Sequence, residues 1–373
     1  MYRNIIQKIL LNSLTHKITK FALYRKNILE KYAIFNTFYE NIYKYHYNIL
    51  MLKEFLLHGL DIAHIPYKKN EPLYNKCTFK VGSTADIFVT PETTDQLQSA
   101  AGASVAAEQS FFILGGGSNI VFPDEPYTHI LISTEKLNSI LMTDDIPDSL
   151  NSNQILVTCE CGTPMSAFVN FCTSHNLTGA EQFAGLPGTI GGAVYMNARC
   201  FDKSISDLIY ETKHIEVYEK GKTKVFTTPL NTSEWDYKKS PFQTSENSVK
   251  KIISEVTFVL EKTDSTYHST IEENCKKYIN ERIDKGHFKF PSAGSVFKNN
   301  RNFGKPSGVI IDEAGLKGYQ IGGAQIAPFH GNFIINVDKA KADDIEALVK
   351  FIQTTIKQKF NFDLEPEIIF IKN

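Results

Sequence analysis

Between residues 184 and 197 the chain reads Ala-Gly-Leu-Pro-Gly-Thr-Ile-Gly-Gly-Ala-Val-Tyr-Met-Asn, and this stretch constrains the fold more than any other. Gly185, Gly188, Gly191 and Gly192, with Pro187 and Thr189 among them, let the backbone turn sharply and lie close to a bulky neighbour. Glycines also leave N–H groups bare, and an amide-rich hollow suits an anionic group such as the pyrophosphate of a nucleotide cofactor. The spacing is not Gly-x-Gly-x-x-Gly after a strand, which argues against a Rossmann crossover and for another kind of cradle. The plain alternative is a glycine-rich turn that only reverses the chain.

A second run, at 111–122, reads Phe-Phe-Ile-Leu-Gly-Gly-Gly-Ser-Asn-Ile-Val-Phe. An apolar strand breaks there into Gly115, Gly116, Gly117, Ser118 and Asn119, and a further apolar run follows. The two cradles are about 70 residues apart and could grip one extended ligand from two sides. Further on, 290–299 reads Phe-Pro-Ser-Ala-Gly-Ser-Val-Phe-Lys-Asn, and the chain nearly ends on Leu364-Glu365-Pro366-Glu367.

In their order and spacing these four stretches resemble the UDP-N-acetylenolpyruvoylglucosamine reductases of peptidoglycan synthesis, in their compact subgroup, over about residues 75–372. The resemblance implies an α+β fold. Its parts would be a two-lobed FAD-binding module of the vanillyl-alcohol-oxidase type over 51–264, with lobes about 70–123 and 124–264, and a C-terminal α+β substrate domain over 265–373 whose last strand returns to the module. It implies FAD held by Gly115 to Asn119 and by Gly185, Pro187, Gly188, Thr189, Gly191, Gly192 and Asn197. NADPH would be the hydride donor and a UDP-sugar enolpyruvyl ether the substrate. Another FAD oxidoreductase of the same fold acting on a sugar or alcohol, or a catalytically impaired flavin-binding relative, are the rival readings.

Reduction of an enolpyruvyl ether requires a cation near the substrate carboxylate, a proton donor and a polarising acid. By resemblance Ser295 is the proton donor, although a serine in a Pro/Gly loop otherwise reads as a turn residue. Glu367 is the acid. It would have to be protonated through burial to donate a hydrogen bond, and Glu365 is its rival two residues earlier. Lys238 departs from the family: Tyr237-Lys238-Lys239-Ser240 stands where relatives carry Tyr-Arg before a serine, and lysine keeps the charge without the planar two-pronged grip. The resemblance further implies substrate contacts from Tyr237, Arg282, Lys285, Lys298, Asn299 and His330. Arg282 and Lys285 serve either the diphosphate or the carboxylate, or are solvated helix ends; His330 touches substrate or NADPH, or caps backbone. A second departure follows Asn197, where Ala198-Arg199-Cys200-Phe201 lacks the usual glycine.

Composition sets the surroundings. At 373 residues, 42% hydrophobic and 22% charged, the chain is long enough for two or three domains of ordinary globular character. A net charge of -1 gives no push towards nucleic acid, and no stretch is apolar enough to span a membrane. A cytoplasmic monomer is expected. Six scattered cysteines without a Cys-x-x-Cys pair read as buried thiols rather than a zinc site, so no metal is expected. Residues 1–50 carry eight Lys/Arg against two Glu. They read as untranslated sequence before a working start at Met51, as a disordered or helical tail, or as a targeting segment.

Periodicity predicts helices over 51–64 (ending near Gly59), 91–107, 163–175, 268–286 and 308–314, and an amphipathic one carrying Ile345, Leu348, Val349, Ile352 and Ile356 on one face. Strands are predicted over 86–89, 111–114, 130–133, 154–159, 209–219, 252–260, 332–337 and 367–371. Loops are expected at 143–153, 237–242 and 291–295, with a turn at Gly322-Gly323.

Overall fold

The computed structural model describes residues 51–143, 147–148, 150–243 and 249–373. The three readings of 1–50, and part of the loop expected at 143–153, lie outside the described residues. Residues 58–373 form one compact unit. Residues 51–62 are helical, so the helix runs past Gly59, where an added side chain would meet open space. It stops where His64 turns left-handed at φ 50°.

Within 58–373 the first sheet has the order Tyr67–Pro72, Thr84–Val89, Tyr127–Ser133, Phe111–Leu114. The last three strands are parallel, and the Thr94–Ala106 helix, capped by Thr93, makes the crossover. The helix opens at Thr94 rather than at Pro91. The Tyr67–Pro72 edge strand was not foreseen, because its Tyr-Lys-Lys-Asn-Glu-Pro sequence is polar and largely exposed. Phe111–Leu114 ends directly at the triple glycine, at the carboxyl end of a parallel strand, where open α/β sheets bind ligands.

The second sheet is antiparallel and is built around the 13-residue strand Lys250–Lys262, flanked by Ile209–Val217 and Gln154–Glu160. Its outer members are Thr223–Pro229 and Ile140–Thr143, both dominated by exposed positions and neither called from sequence. The helix placed after Thr163 starts one residue late. Pro164 is its cap and the helix is Met165–Ser174, while the Thr163 hydroxyl donates to the Ser139 carbonyl.

The third sheet contains Ser292–Ser295, so the expected serine loop is a short strand, paired antiparallel with Phe333–Asn336. A hairpin turning at Gly322-Gly323 completes it. The helix Ala342–Phe360 buries Ile345, Leu348, Val349, Ile352 and Ile356 as the spacing required. One hydrophobic core joins Phe79, Phe88, Phe122 and Leu131 with Val296, Phe297, Ile310, Leu348 and Ile368. The last strand shrinks to Ile369–Phe370 and pairs parallel with Ile120–Val121, just beyond the first cradle. Residues far apart in sequence thereby meet at the glycine runs.

Candidate active site

The two glycine runs pack on each other. A side chain on Gly116 would fall 2.6 Å from the Gly188 Cα, and one on Gly115 2.6 Å from the Thr189 Oγ1. Gly117, at φ 63°, leaves no room at all, since its Cβ would lie 2.0 Å from the Lys76 carbonyl oxygen. The second run does not stay a loop: Thr189 caps a short helix, Ile190–Tyr195, by accepting from the Gly192 amide. Among the described residues, the amides of Gly116, Gly117, Ser118 and Asn119 donate to no protein acceptor. Unpaired amides in residues that line a cavity fit an anionic group, so the cradle has the donor set a dinucleotide pyrophosphate needs.

These runs line a cavity of about 1150 Å³. Its walls include Gly115, Gly116, Gly117, Ser118, Asn119, Pro187, Gly188, Thr189, Gly191 and Gly192, and the same space is bordered by Lys238, Arg282, Lys285, Ser295 and Glu367. Gly185 faces an adjoining hollow, with the Arg282 side chain close behind it.

At the chemical end, Lys238 Nζ lies 2.5 Å from Glu367 Oε1, both side chains almost fully buried. Glu367 therefore faces an ammonium at the cavity wall. Lys238 is at φ 58° in the tight turn closed by Asp236 and Lys239, a costly conformation for a side chain that aims it into the cavity. Glu365, the rival acid, is exposed and paired with Lys298 at 2.6 Å. The Glu367 amide donates to the Val296 carbonyl at 2.7 Å, fixing the acid next to the residue that follows Ser295.

A basic wall stands beside this pair. Arg282 is buried and donates through Nε to the Ala184 carbonyl at 2.9 Å, which ties the His268–Asp284 helix to the start of the second glycine run. The Arg282 guanidinium and the Lys285 ammonium lie 5.4 and 5.2 Å from the Phe201 ring centre. His287 also lines the cavity, and its ring is pushed down to a pKa of about 4 by burial, then by Arg282, His330 and Lys285. Burial raises the Cys200 thiol, which borders the same space, above its ordinary range despite the nearby Arg282.

Several sequence-predicted residues do not line the cavity. Asn197 is buried behind it, donating to the Asp236 carbonyl at 2.8 Å and accepting from the Ser206 amide, so it supports the Lys238 turn. Tyr237, Lys298 and Asn299 serve one another and their neighbours: the Asn299 amide donates to the Tyr237 hydroxyl, and Asn299 Oδ1 accepts from the Ser307 amide. His330 caps backbone by accepting from the Asn332 amide through Nδ1, and burial lowers its pKa. Sequence reasoning passed over Phe201, Lys250 and His287, all on the cavity wall. Only Phe201 carried a signal, since it falls in the departed segment after Asn197.

The family profile described as UDP-N-acetylenolpyruvoylglucosamine reductase, C-terminal domain, matches residues 286–371, and that of an FAD binding domain matches 85–214. A protein named UDP-N-acetylenolpyruvoylglucosamine reductase from Treponema denticola is 41% identical over 82% of this chain and 92% of its own length. This chain belongs to the UDP-N-acetylenolpyruvoylglucosamine reductase family. A relative of the same name from Borreliella burgdorferi is 38% identical over 82% of this chain and 94% of its own. The crystal structure of the Thermus caldophilus reductase superposes with a TM-score of 0.61 at 27% identity, covering 82% of this chain and 99% of that one. The α+β, FAD-binding fold expected from the motifs is that of this reductase family. Lys238, expected to depart from the family's arginine, pairs with the acid itself. Arg199 borders the cavity and donates to the Ser204 hydroxyl.

Proposed function

We propose that this chain reduces the enolpyruvyl ether of UDP-N-acetylglucosamine to the lactyl ether, UDP-N-acetylmuramate, with NADPH as hydride source, in peptidoglycan precursor synthesis. The observation that carries the reading is a single cavity in which an amide-lined double cradle adjoins Ser295, Lys238 and Glu367. The residues that would hold FAD are Gly115 to Asn119, with the free amides of Gly116 to Asn119, and the facing Pro187 to Gly192. Bound FAD supplies the transfer of hydride from the nicotinamide to the terminal carbon of the double bond.

The chain's own groups do the rest. Ser295 Oγ delivers the proton to the inner carbon, and the alkoxide left behind takes a proton back from solvent water. Lys238 Nζ, now on Glu367, provides the charge that holds the substrate carboxylate. Protonated from solvent, the Glu367 carboxyl would donate a hydrogen bond to the developing enolate oxygen once Lys238 has turned to the substrate carboxylate. Arg282 and Lys285, on one helix end, bind the diphosphate, and the buried Arg282 keeps its geometry through the Ala184 carbonyl. The FAD module is taken as 51–264 and the substrate domain as 265–373, in keeping with profile matches that fall inside each. The reading takes the enzyme to be a cytoplasmic monomer without a nucleic-acid partner. In keeping with it, the net charge is -1, and no helix among the described residues is long and apolar enough to cross a membrane.

Stopped-flow absorbance of the flavin tests the assignment. Ser295→Ala is expected to leave flavin reduction by NADPH within about twofold and to slow reoxidation by the enolpyruvyl substrate by about 100-fold or more. Equal slowing of both half-reactions removes Ser295 from the proton transfer.

A further inference from the structure

Asn119 closes the first glycine run, and its position suggests a flavin contact. Its side chain points elsewhere. Nδ2 donates at 3.0 Å to the backbone carbonyl of Glu367, across 248 residues of sequence, and the Asn119 carbonyl accepts from the Ile369 amide at 2.9 Å. Residues 367 and 369 are thus bracketed by the side chain and main chain of one residue. From the other side, the Glu367 amide is held by the Val296 carbonyl. The acid strand therefore hangs between the end of the first cradle and the serine strand. Without the Asn119 side chain the Glu367 carbonyl would lose this donor, and the main chain of residue 367 would keep only its bond to the Val296 carbonyl.

We infer that Asn119 is a positioning residue for Glu367: its backbone belongs to the flavin cradle, while its side-chain amide fixes the acid for the proton-transfer half of the reaction. The inference rests on the reductase reading above. It also gives the cradle a purpose beyond holding the cofactor, because the same five-residue run sets the cofactor and the acid in one frame. A side chain that hydrogen-bonds an anionic cofactor and one that hydrogen-bonds the acid's backbone predict different losses, so the two roles separate in experiment.

The test uses Asn119→Ala, which removes the side-chain donor without adding charge and keeps the backbone amide that faces the cofactor, alone and combined with Glu367→Gln. With this variant, FAD affinity by fluorescence titration and flavin reduction by NADPH are expected to stay within about twofold of the parent, while reoxidation by the enolpyruvyl substrate slows about tenfold. In the Glu367→Gln background the added change should slow reoxidation by less than about twofold, because Asn119 acts through the group already removed. A full further loss in the double variant, or an affinity loss for FAD as large as the rate loss, would overturn the inference. Failure of the unaltered enzyme to be reoxidised by this substrate would instead bring down the reductase reading, and the inference with it.

Discussion

The two glycine runs look alike in sequence and owe their glycines to different neighbours. In the first, Gly115, Gly116 and Gly117 are required by protein: Thr189, Gly188 and the Lys76 carbonyl occupy the space a side chain would take. In the second, Gly191 is required by Cys161, whereas Gly192 has no atom nearer its would-be Cβ than the Thr189 Oγ1 at 3.5 Å and faces the cavity. A glycine motif that binds a cofactor is thus partly a motif for building the binder. The first run forms the seat by packing on the second, and the second supplies the open wall.

The contrast breaks first at Gly117. Gly117→Ala combines a left-handed backbone with a 2.0 Å approach to a main-chain oxygen that no rotamer can relieve. We expect a loss above about 4 kcal/mol in urea unfolding, or no soluble protein, and no flavin uptake. A stable Gly117→Ala protein would show that the first run is glycine for the ligand's sake after all.

The second run is held differently, through the Arg282 bond to Ala184, and Arg282 is in turn joined to the His287–His330–Phe333 cluster. His287 packs edge-on to Phe333 at 4.7 Å, and its amide donates to the Arg282 carbonyl. Acid should loosen this support. The folded-state pKa of His287, about 4, lies below its ordinary 6.5, so between these values the unfolded chain binds the proton more tightly and stability falls as pH falls. Below about 4 the loss is complete. His330, lowered in the same direction by burial, adds to it, because protonation removes the lone pair that accepts the Asn332 amide. A melting temperature that drops from pH 6.5 towards pH 4, with a shallower drop in His287→Phe, is the expected result; an identical slope in the variant would release His287 from the account.

The parts legible in sequence were those governed by local periodicity and by steric demand. The amphipathic helix at Ala342–Phe360 was read from its buried face, and the strand ending at Leu114 from its apolar run before three glycines. The exposed outer strands, Tyr67–Pro72 and Thr223–Pro229, were illegible because a solvated edge has no hydrophobic alternation to display. At the site, Ser295, Lys238 and Glu367 were singled out through resemblance, and the fold brings them to one cavity. The Lys238–Glu367 pair was not, because partners 129 residues apart leave no spacing to read. The same holds for Asn197 and His330, whose side chains turned out to serve backbone groups created only by the fold.

The finest test of the contrast is Gly192→Ala. The residue lies inside the Ile190–Tyr195 helix, where alanine is favoured over glycine by up to about 1 kcal/mol. Its new methyl group would meet Thr189 only at ordinary contact distance. The protein without flavin should therefore melt unchanged or about 2 °C higher. Because the methyl projects from the cavity wall, FAD affinity should fall by about tenfold in the same protein, roughly the cost of displacing a well-packed ligand contact. Stability and affinity would then move in opposite directions at Gly192 and together at Gly117. Unchanged FAD affinity in Gly192→Ala would mean that the open wall is not where the cofactor lies, and the two runs would differ only in how they pack.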